Sequence, residues 1–224
     1  MDSAHGLRWR EDVLSGPAKD ALRYLADCSW LQESGWYLAG GTALALQAGH
    51  RKSVDLDFFT QVSFEDVTPL RRRLPGEPDF AVDKESPGTL YGRLHGAKVS
   101  FISYPFFLPR EAFLSYGSVQ VLSERDIAVM KIVAVSQRGK KRDFLDLYWY
   151  FKNRESIVDV CLRLPGQYPT VAHNYQHVLK ALMYFSDADD DVMPTTFFEA
   201  DWRKVKEWFA REVPRAAKAL LRIG

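Results

Sequence analysis

Cysteine is scarce, with two residues in a chain of 224. Cys28 and Cys161 stand far apart and form no CxxC pair, which argues against a disulfide framework or a thiolate zinc site. They read instead as buried, reduced thiols. No apolar run approaches the length of a membrane span. The first ten residues, Met1–Arg10, carry Asp2, His5 and Arg8 and lack the apolar core of a signal peptide, so the cytoplasm is the expected compartment. Charge of one sign is also missing. Formal net charge is +1, so any surface for an anionic polymer has to be local. Five histidines show no HExxH spacing; His173 and His177 are four apart without it, and His95 stands alone. The acidic run Asp187–Asp191 lacks the glycine and distal glutamate of a calcium loop and reads as a solvated loop.

The chain does have the make-up of a folded globular protein, 46% hydrophobic and 26% charged. Pro17 opens a helical pattern that Gly35 ends. Trp36–Ala39 is a short apolar strand broken by Gly40-Gly41. Thr42 is a plausible N-cap for a helix over Ala43–Ala48, which Gly49 closes. Val54–Phe59 alternates as a strand, and Ser63–Arg73 looks helical up to Pro75-Gly76. Phe80–Leu122 is rich in short strands, with Thr89–Leu94 and Lys98–Ser103 flanking His95-Gly96-Ala97 as a hairpin, and with Val119–Leu122 as one more. Ser123 then caps a helix, with Asp126 three residues on. Helices follow over Ser123–Gln137, Arg142–Phe151, Ile157–Leu162, Val171–Phe185 and Trp202–Glu212, the last with Trp202, Trp208 and Phe209 on a core face. The expected architecture is α+β: a mixed sheet with flanking helices in residues 1–122, and a mainly helical half in residues 123–224 that completes a cleft.

Asp55 and Asp57 are two apart on a predicted strand, so both carboxylates project from one face while Leu56 and Phe58 face a core. Two ionised carboxylates so close repel one another, and such a pair suits a divalent cation. Gly40-Gly41 breaks a strand just before a helix, where backbone N–H groups and the helix dipole favour an anion. A lone Gly-Gly is ordinarily a turn, and a lone Asp-x-Asp ordinarily a solvated face. Together, in this order, they describe a phosphate cradle beside a hard-cation site, which is what phosphoryl or nucleotidyl transfer requires.

Two blocks carry a family resemblance. One is Leu38-Ala39-Gly40-Gly41-Thr42 leading to His50-Arg51-Lys52-Ser53-Val54-Asp55-Leu56-Asp57-Phe58-Phe59. The other is Lys131–Ala134 through Arg138-Gly139-Lys140-Lys141-Arg142-Asp143-Phe144-Leu145-Asp146. The pattern resembles the nucleotidyltransferase-like toxins of the AbiEii/AbiGii type, within the DNA polymerase β-like nucleotidyltransferase superfamily. The resemblance implies Gly40, Gly41 and Thr42 on the nucleotide's phosphates, Asp55 and Asp57 on Mg²⁺, Lys131 on the triphosphate, and Asp146 as a functional acid. It implies transfer of a nucleoside monophosphate from an NTP to an acceptor, tRNA or other RNA, and a cognate antitoxin protein as partner.

Several residues admit two roles. Lys131 lies in an apolar stretch and either snorkels to the surface or points into a site. Arg51 either reaches a phosphate or pairs with a carboxylate, and Ser53 is placed to orient Asp55. Arg138–Arg142 is either a solvated basic turn or a contact to RNA or triphosphate, with Arg142 and Asp146 spaced for an i, i+4 ion pair. Arg71-Arg72-Arg73 reads as helix surface. Where polymerase β-like enzymes carry a third carboxylate, the matching strand offers Ser100, a neutral hydroxyl. Asp146 or Asp143 is then expected to supply the missing charge, with Asp146 opening into the cavity of Asp57 beside Arg142 and Tyr150. The alternative is a weak or inactive nucleotide-binding or partner-binding module of the same fold.

Overall fold

The computed structural model describes residues 8–76 and 79–220. Most of the N-terminal Met1–Arg10 stretch and the final four residues of the helical half lie outside the described residues.

The sheet forms around a short buried strand, β1 (Tyr37–Ala39), that pairs antiparallel with β2 (Asp55–Thr60) and parallel with β7 (Val119–Val121). β2 also runs parallel to β5 (Ala97–Ser103), which is followed outward by β4 (Thr89–Leu94) and β3 (Phe80–Ser86). β6 (Leu114–Tyr116) pairs with β7 at the other edge, giving the order β3-β4-β5-β2-β1-β7-β6. The β4–β5 turn is His95-Gly96, both at positive φ (49° and 83°), as a two-residue primed hairpin turn demands. Ala97 is already strand.

One face of the sheet packs on α1 (Gly16–Ala26), which Ser15 caps and which buries Ala18, Ala21, Leu22 and Leu25. The helix after β1, α2 (Gly40–Ala48), is buried over five consecutive residues, Thr42–Leu46, so it shows no polar face. It packs against β1, β2 and two helices of the C-terminal half, α4 (Glu124–Arg138) and α5 (Lys141–Asn153). The remaining helices are α6 (Ile157–Gln167), α7 (Tyr175–Ala181), α8 (Ser186–Asp189) and α9 (Trp202–Leu220). One continuous hydrophobic cluster runs from Val13 to Leu220.

Some boundaries differ from the sequence reading. The helix read over Ser63–Arg73 contracts to α3 (Thr68–Arg71), and the Asp66 side chain accepts from Thr68 N at its start. Val171–Phe185 shortens to α7, capped by Asn174. α6 and α9 run on through Pro165 and Pro214. In α9, Val205, Phe209, Val213, Ala216 and Leu220 form one buried stripe, and its packing outweighs the helix-breaking tendency of proline. Phe209 is fully buried beside Phe144, as its spacing implied. Ser123 does cap α4, but Asp126 does not reciprocate: its carboxylate turns inward to accept from Arg110 N, Glu111 N and Gln167. Asp191 is not simply solvated. It accepts from the backbone N–H of Lys141 and so caps α5 from fifty residues away. Neither cysteine is in a disulfide; Cys161 is buried, and Cys28 is half-buried with its Sγ donating to Tyr24 O.

Candidate active site

The two glycines at the β1–α2 junction are needed for different reasons. Gly40 has φ +67°, where side-chain-bearing residues are strained. A Cβ at Gly41 would fall 2.0 Å from Arg51 Nη2, so only glycine lets the guanidinium lie against the turn. Thr42 is not the N-cap. The helix begins at Gly40, with Ala39 at the cap position and no side chain capping it, so the first-turn N–H groups stay available to an anion. The Thr42 hydroxyl is committed elsewhere, to Ser53 Oγ at 2.7 Å and to the Asp55 carbonyl. Ser53 is thus linked to the Asp55 backbone through Thr42 and makes no contact with the Asp55 carboxylate among the described residues.

β2 presents Asp55 and Asp57 on its half-exposed face while Leu56 and Phe58 are fully buried behind. Across the parallel pairing, Lys98 stands beside Asp55 and Ser100 beside Asp57. Ser100 Oγ donates to Asp57 Oδ1 at 2.6 Å, and Arg142 Nη1 lies 3.4 Å from Asp55 Oδ2. No cluster of three or more metal-ligating side chains occurs among the described residues. Two carboxylates on one face, each with a second oxygen uncommitted among the described residues, match the donor set of Mg²⁺, which takes one or two carboxylates and completes its shell with water and substrate phosphates.

Behind this face lies a buried ion cluster. Asp146 is fully buried and accepts from Arg51 Nε (2.6 Å), Arg51 Nη2 (3.0 Å) and His50 Nε2 (2.7 Å), with Lys131 Nζ at 2.7 Å. Lys131 also reaches Asp143 Oδ1 at 2.5 Å, and Arg138 Nε lies 3.3 Å from Asp143 Oδ2. Burial alone would raise the Asp146 pKa, but the charges of Arg51 and Lys131 and the donated hydrogen bonds hold it well below the usual carboxylate range. Burial lowers the His50 pKa against the pull of Asp146. That lowering favours the neutral ring near neutral pH, and because Nε2 faces a carboxylate that can only accept, the ring's proton sits on Nε2. Its Nδ1 has no partner among the described residues.

This arrangement corrects two expectations. Asp146 does not open into the cavity of Asp57; it sits behind Arg51 and Lys131, which do. Three donor groups converging on one carboxylate pull it inward, so it positions cations rather than replacing the charge that Ser100 lacks. Arg142 and Asp146 form no surface ion pair, because Arg142 points to Asp55, and Tyr150 is buried with its hydroxyl on Glu155. Lys131 does not snorkel. It is 6% exposed at its side chain, with two donors on Asp143 and Asp146 and its surface turned to the cavity.

The cavity measures about 610 Å³, a size suited to a nucleotide. Its polar lining is Gly40-Gly41-Thr42, Asp55, Asp57, Arg51, Lys52, Lys131, Arg138 and Arg142. The lining also has apolar and aromatic members: Phe59, Ile102, Tyr104, Met130 and Tyr168. A strap that sequence reasoning missed, Met193-Pro194-Thr195, forms part of the wall. Lys52 N donates to Thr195 O at 2.9 Å and Phe197 N to His50 O at 2.8 Å, so the strap is pinned beside the residues that precede Asp55. Nothing in its composition signals this. Its pairing partner lies some 145 positions upstream and involves backbone atoms alone.

The model of a family described as nucleotidyl transferase AbiEii toxin, type IV toxin–antitoxin system, matches residues 23–87 and 92–222. The chain belongs to the AbiEii nucleotidyltransferase toxin family. The match takes in both the Gly40–Asp57 and the Lys131–Asp146 stretches, and the protein is a nucleotidyltransferase. A relative of unassigned function from Aquifex aeolicus is 34% identical over 189 residues, spanning 80% of this chain and 86% of its own. Among solved structures, a candidate nucleotidyltransferase from H. pylori superposes with TM-score 0.54 at 17% identity, covering 94% of this chain and 99% of that one. JHP933 from Helicobacter pylori gives TM-score 0.54 at 18% identity, covering 93% and 95%. These two share the nucleotidyltransferase fold, as the AbiEii family match requires.

Proposed function

We propose that this AbiEii-family enzyme uses Mg²⁺ to move a nucleoside monophosphate from an NTP to an RNA acceptor, with tRNA the leading candidate. It acts in the cytoplasm as the toxin of a pair with a cognate antitoxin protein. The observation that carries the reading is a single cavity in which an Asp pair faces a wall of Arg51, Lys131, Arg138 and Arg142 beside an uncapped helix N-terminus. Among the described residues no helix is long and apolar enough to cross a membrane.

Asp55 and Asp57 would hold the cation, which when bound neutralises phosphate charge and orients the triphosphate. The α2 N–H groups and Arg51 and Lys131 hold the β- and γ-phosphates, while Asp146 and Asp143 fix those two cations in place. Positioning and charge supply most of the rate in such a transfer. The acceptor hydroxyl oxygen bonds to the α-phosphorus and its proton passes to solvent water in the open cavity, while the bond to the bridging oxygen breaks and pyrophosphate leaves against the cationic wall.

Ser100 favours a second reading. A neutral hydroxyl beside Asp57 binds Mg²⁺ weakly and cannot accept the acceptor's proton. Nucleotide binding with very slow turnover would follow. Incubation with each labelled NTP, Mg²⁺ and total tRNA separates the two. Chelator-sensitive label on tRNA supports the proposal, label on protein moves the acceptor, and binding without transfer supports the second reading.

A further inference from the structure

We infer that the open face of β5–β4–β3 is a platform for the single-stranded 3′ end of the RNA acceptor, with Tyr91 stacking on a base. This inference rests on the proposed transfer to RNA.

The register lays the reaction out in strand order. The Gly40-Gly41 turn closes β1, Asp57 stands on β2, Ser100 is its neighbour on β5, Tyr91 pairs with Ser100 on β4, and Lys84 pairs with Tyr91 on β3. Residues paired in this way share a face. Tyr91 therefore lies on the face of the Asp pair, two strand spacings or about 10 Å from Asp57. The opposite face of the same strands is core, with Leu90, Leu94, Val99 and Phe101 all buried.

In-line displacement fixes the direction of approach, because attacking and leaving oxygens stand on opposite sides of the α-phosphorus. The groups that would receive pyrophosphate, the α2 N-terminus with Arg51 and Lys131, lie on the β1 and helical side of Asp57. The attacking hydroxyl must then arrive from the β5 side, over Ser100. The next side chain outward on that path is Tyr91, 42% exposed, an aromatic ring without a core to fill.

Its neighbours complement a phosphate backbone. Lys98, Arg93 and Lys84 share the face and are exposed. The ion pairs described on β3, β4 and β5 are Arg93–Asp83 and Arg71–Glu85, so Lys84 and Lys98 are unpaired among the described residues. Exposed aromatic rings interleaved with basic side chains bind single strands, because every base has a stackable face and every step carries a phosphate.

The test uses the full chain and a fluorescent single-stranded oligoribonucleotide, read by anisotropy and as an acceptor in steady-state transfer. Tyr91→Ala should raise both Kd and KM for the oligonucleotide roughly tenfold, with Mg-NTP binding and melting midpoint unchanged. Tyr91→Phe should stay near wild type, because the ring remains. Lys98→Gln should lower the salt dependence of binding by about one phosphate contact. A Tyr91→Ala protein that binds and modifies the oligonucleotide like wild type overturns the platform while leaving the transfer reaction intact. Absence of Mg-NTP binding in the wild type would sink the proposed function instead. Label on a protein acceptor, or a face that takes up protein and no RNA, also overturns the platform.

Discussion

Asp146→Asn keeps the size of the side chain and removes one charge from the buried cluster. In the wild type, the buried charges are Asp143 and Asp146 against Arg51 and Lys131, two acids and two bases, with the exposed Arg138 reaching Asp143 from the rim. In the variant one acid faces two bases. The carboxylate takes three hydrogen bonds from His50 and Arg51 and the contact from Lys131, and an amide offers one acceptor oxygen and turns an NH₂ toward donors. Asp146 is fully buried, so water offers little screening. An uncompensated buried charge costs about 3–5 kcal/mol. In a chain of this size each kcal/mol lowers Tm by roughly 2–4 °C, so the midpoint should fall by roughly 6–20 °C. Differential scanning fluorimetry near neutral pH reads it directly. Adding Arg51→Met should recover part of the loss, since it removes the orphaned cation. A midpoint within about 2 °C of wild type, or a double variant worse by the full sum of both singles, would refute the cluster as a charge-balanced unit.

Asp57→Ala should abolish Mg²⁺-dependent transfer while the melting midpoint holds or rises slightly, since it relieves repulsion with Asp55; unfolding of this variant would make Asp57 structural. Gly41→Ala should cost about 1–3 kcal/mol in denaturant titration and lose transfer, because its Cβ displaces the Arg51 guanidinium; unchanged activity would separate Arg51 from the reaction. The pH profile of stability should carry the mark of His50. Its folded pKa lies below the ordinary 6.5, so as pH falls past 6.5 the unfolded chain takes up the proton first and stability declines, a slope that His50→Gln should flatten. A slope identical in both proteins assigns the acid sensitivity elsewhere.

The β2 face was legible because it depends on short-range periodicity: Asp55 and Asp57 on one side, Leu56 and Phe58 on the other. Gly40-Gly41 was legible as a break, and Ser100 as the neutral residue facing Asp57. What sequence reasoning missed was long-range. Asp146 reaches Arg51 across 95 positions, and no local pattern distinguishes an acid pulled inward by three donor groups from one facing a cavity. The need for glycine at position 41 comes from a guanidinium that only tertiary folding delivers. The helices through Pro165 and Pro214 were cut short on local propensity, which the buried stripes on α6 and α9 override.

The central claim is that the Asp pair and the cationic wall form one nucleotidyl-transfer centre. The most direct measurement compares the same NTP labelled at the α- or the γ-phosphate, with Mg²⁺ and RNA, in wild type and Asp57→Ala. The account predicts α-label on RNA, γ-label released in pyrophosphate, and neither with Asp57→Ala. γ-Label on the acceptor, or α-label transferred equally by Asp57→Ala, would contradict it.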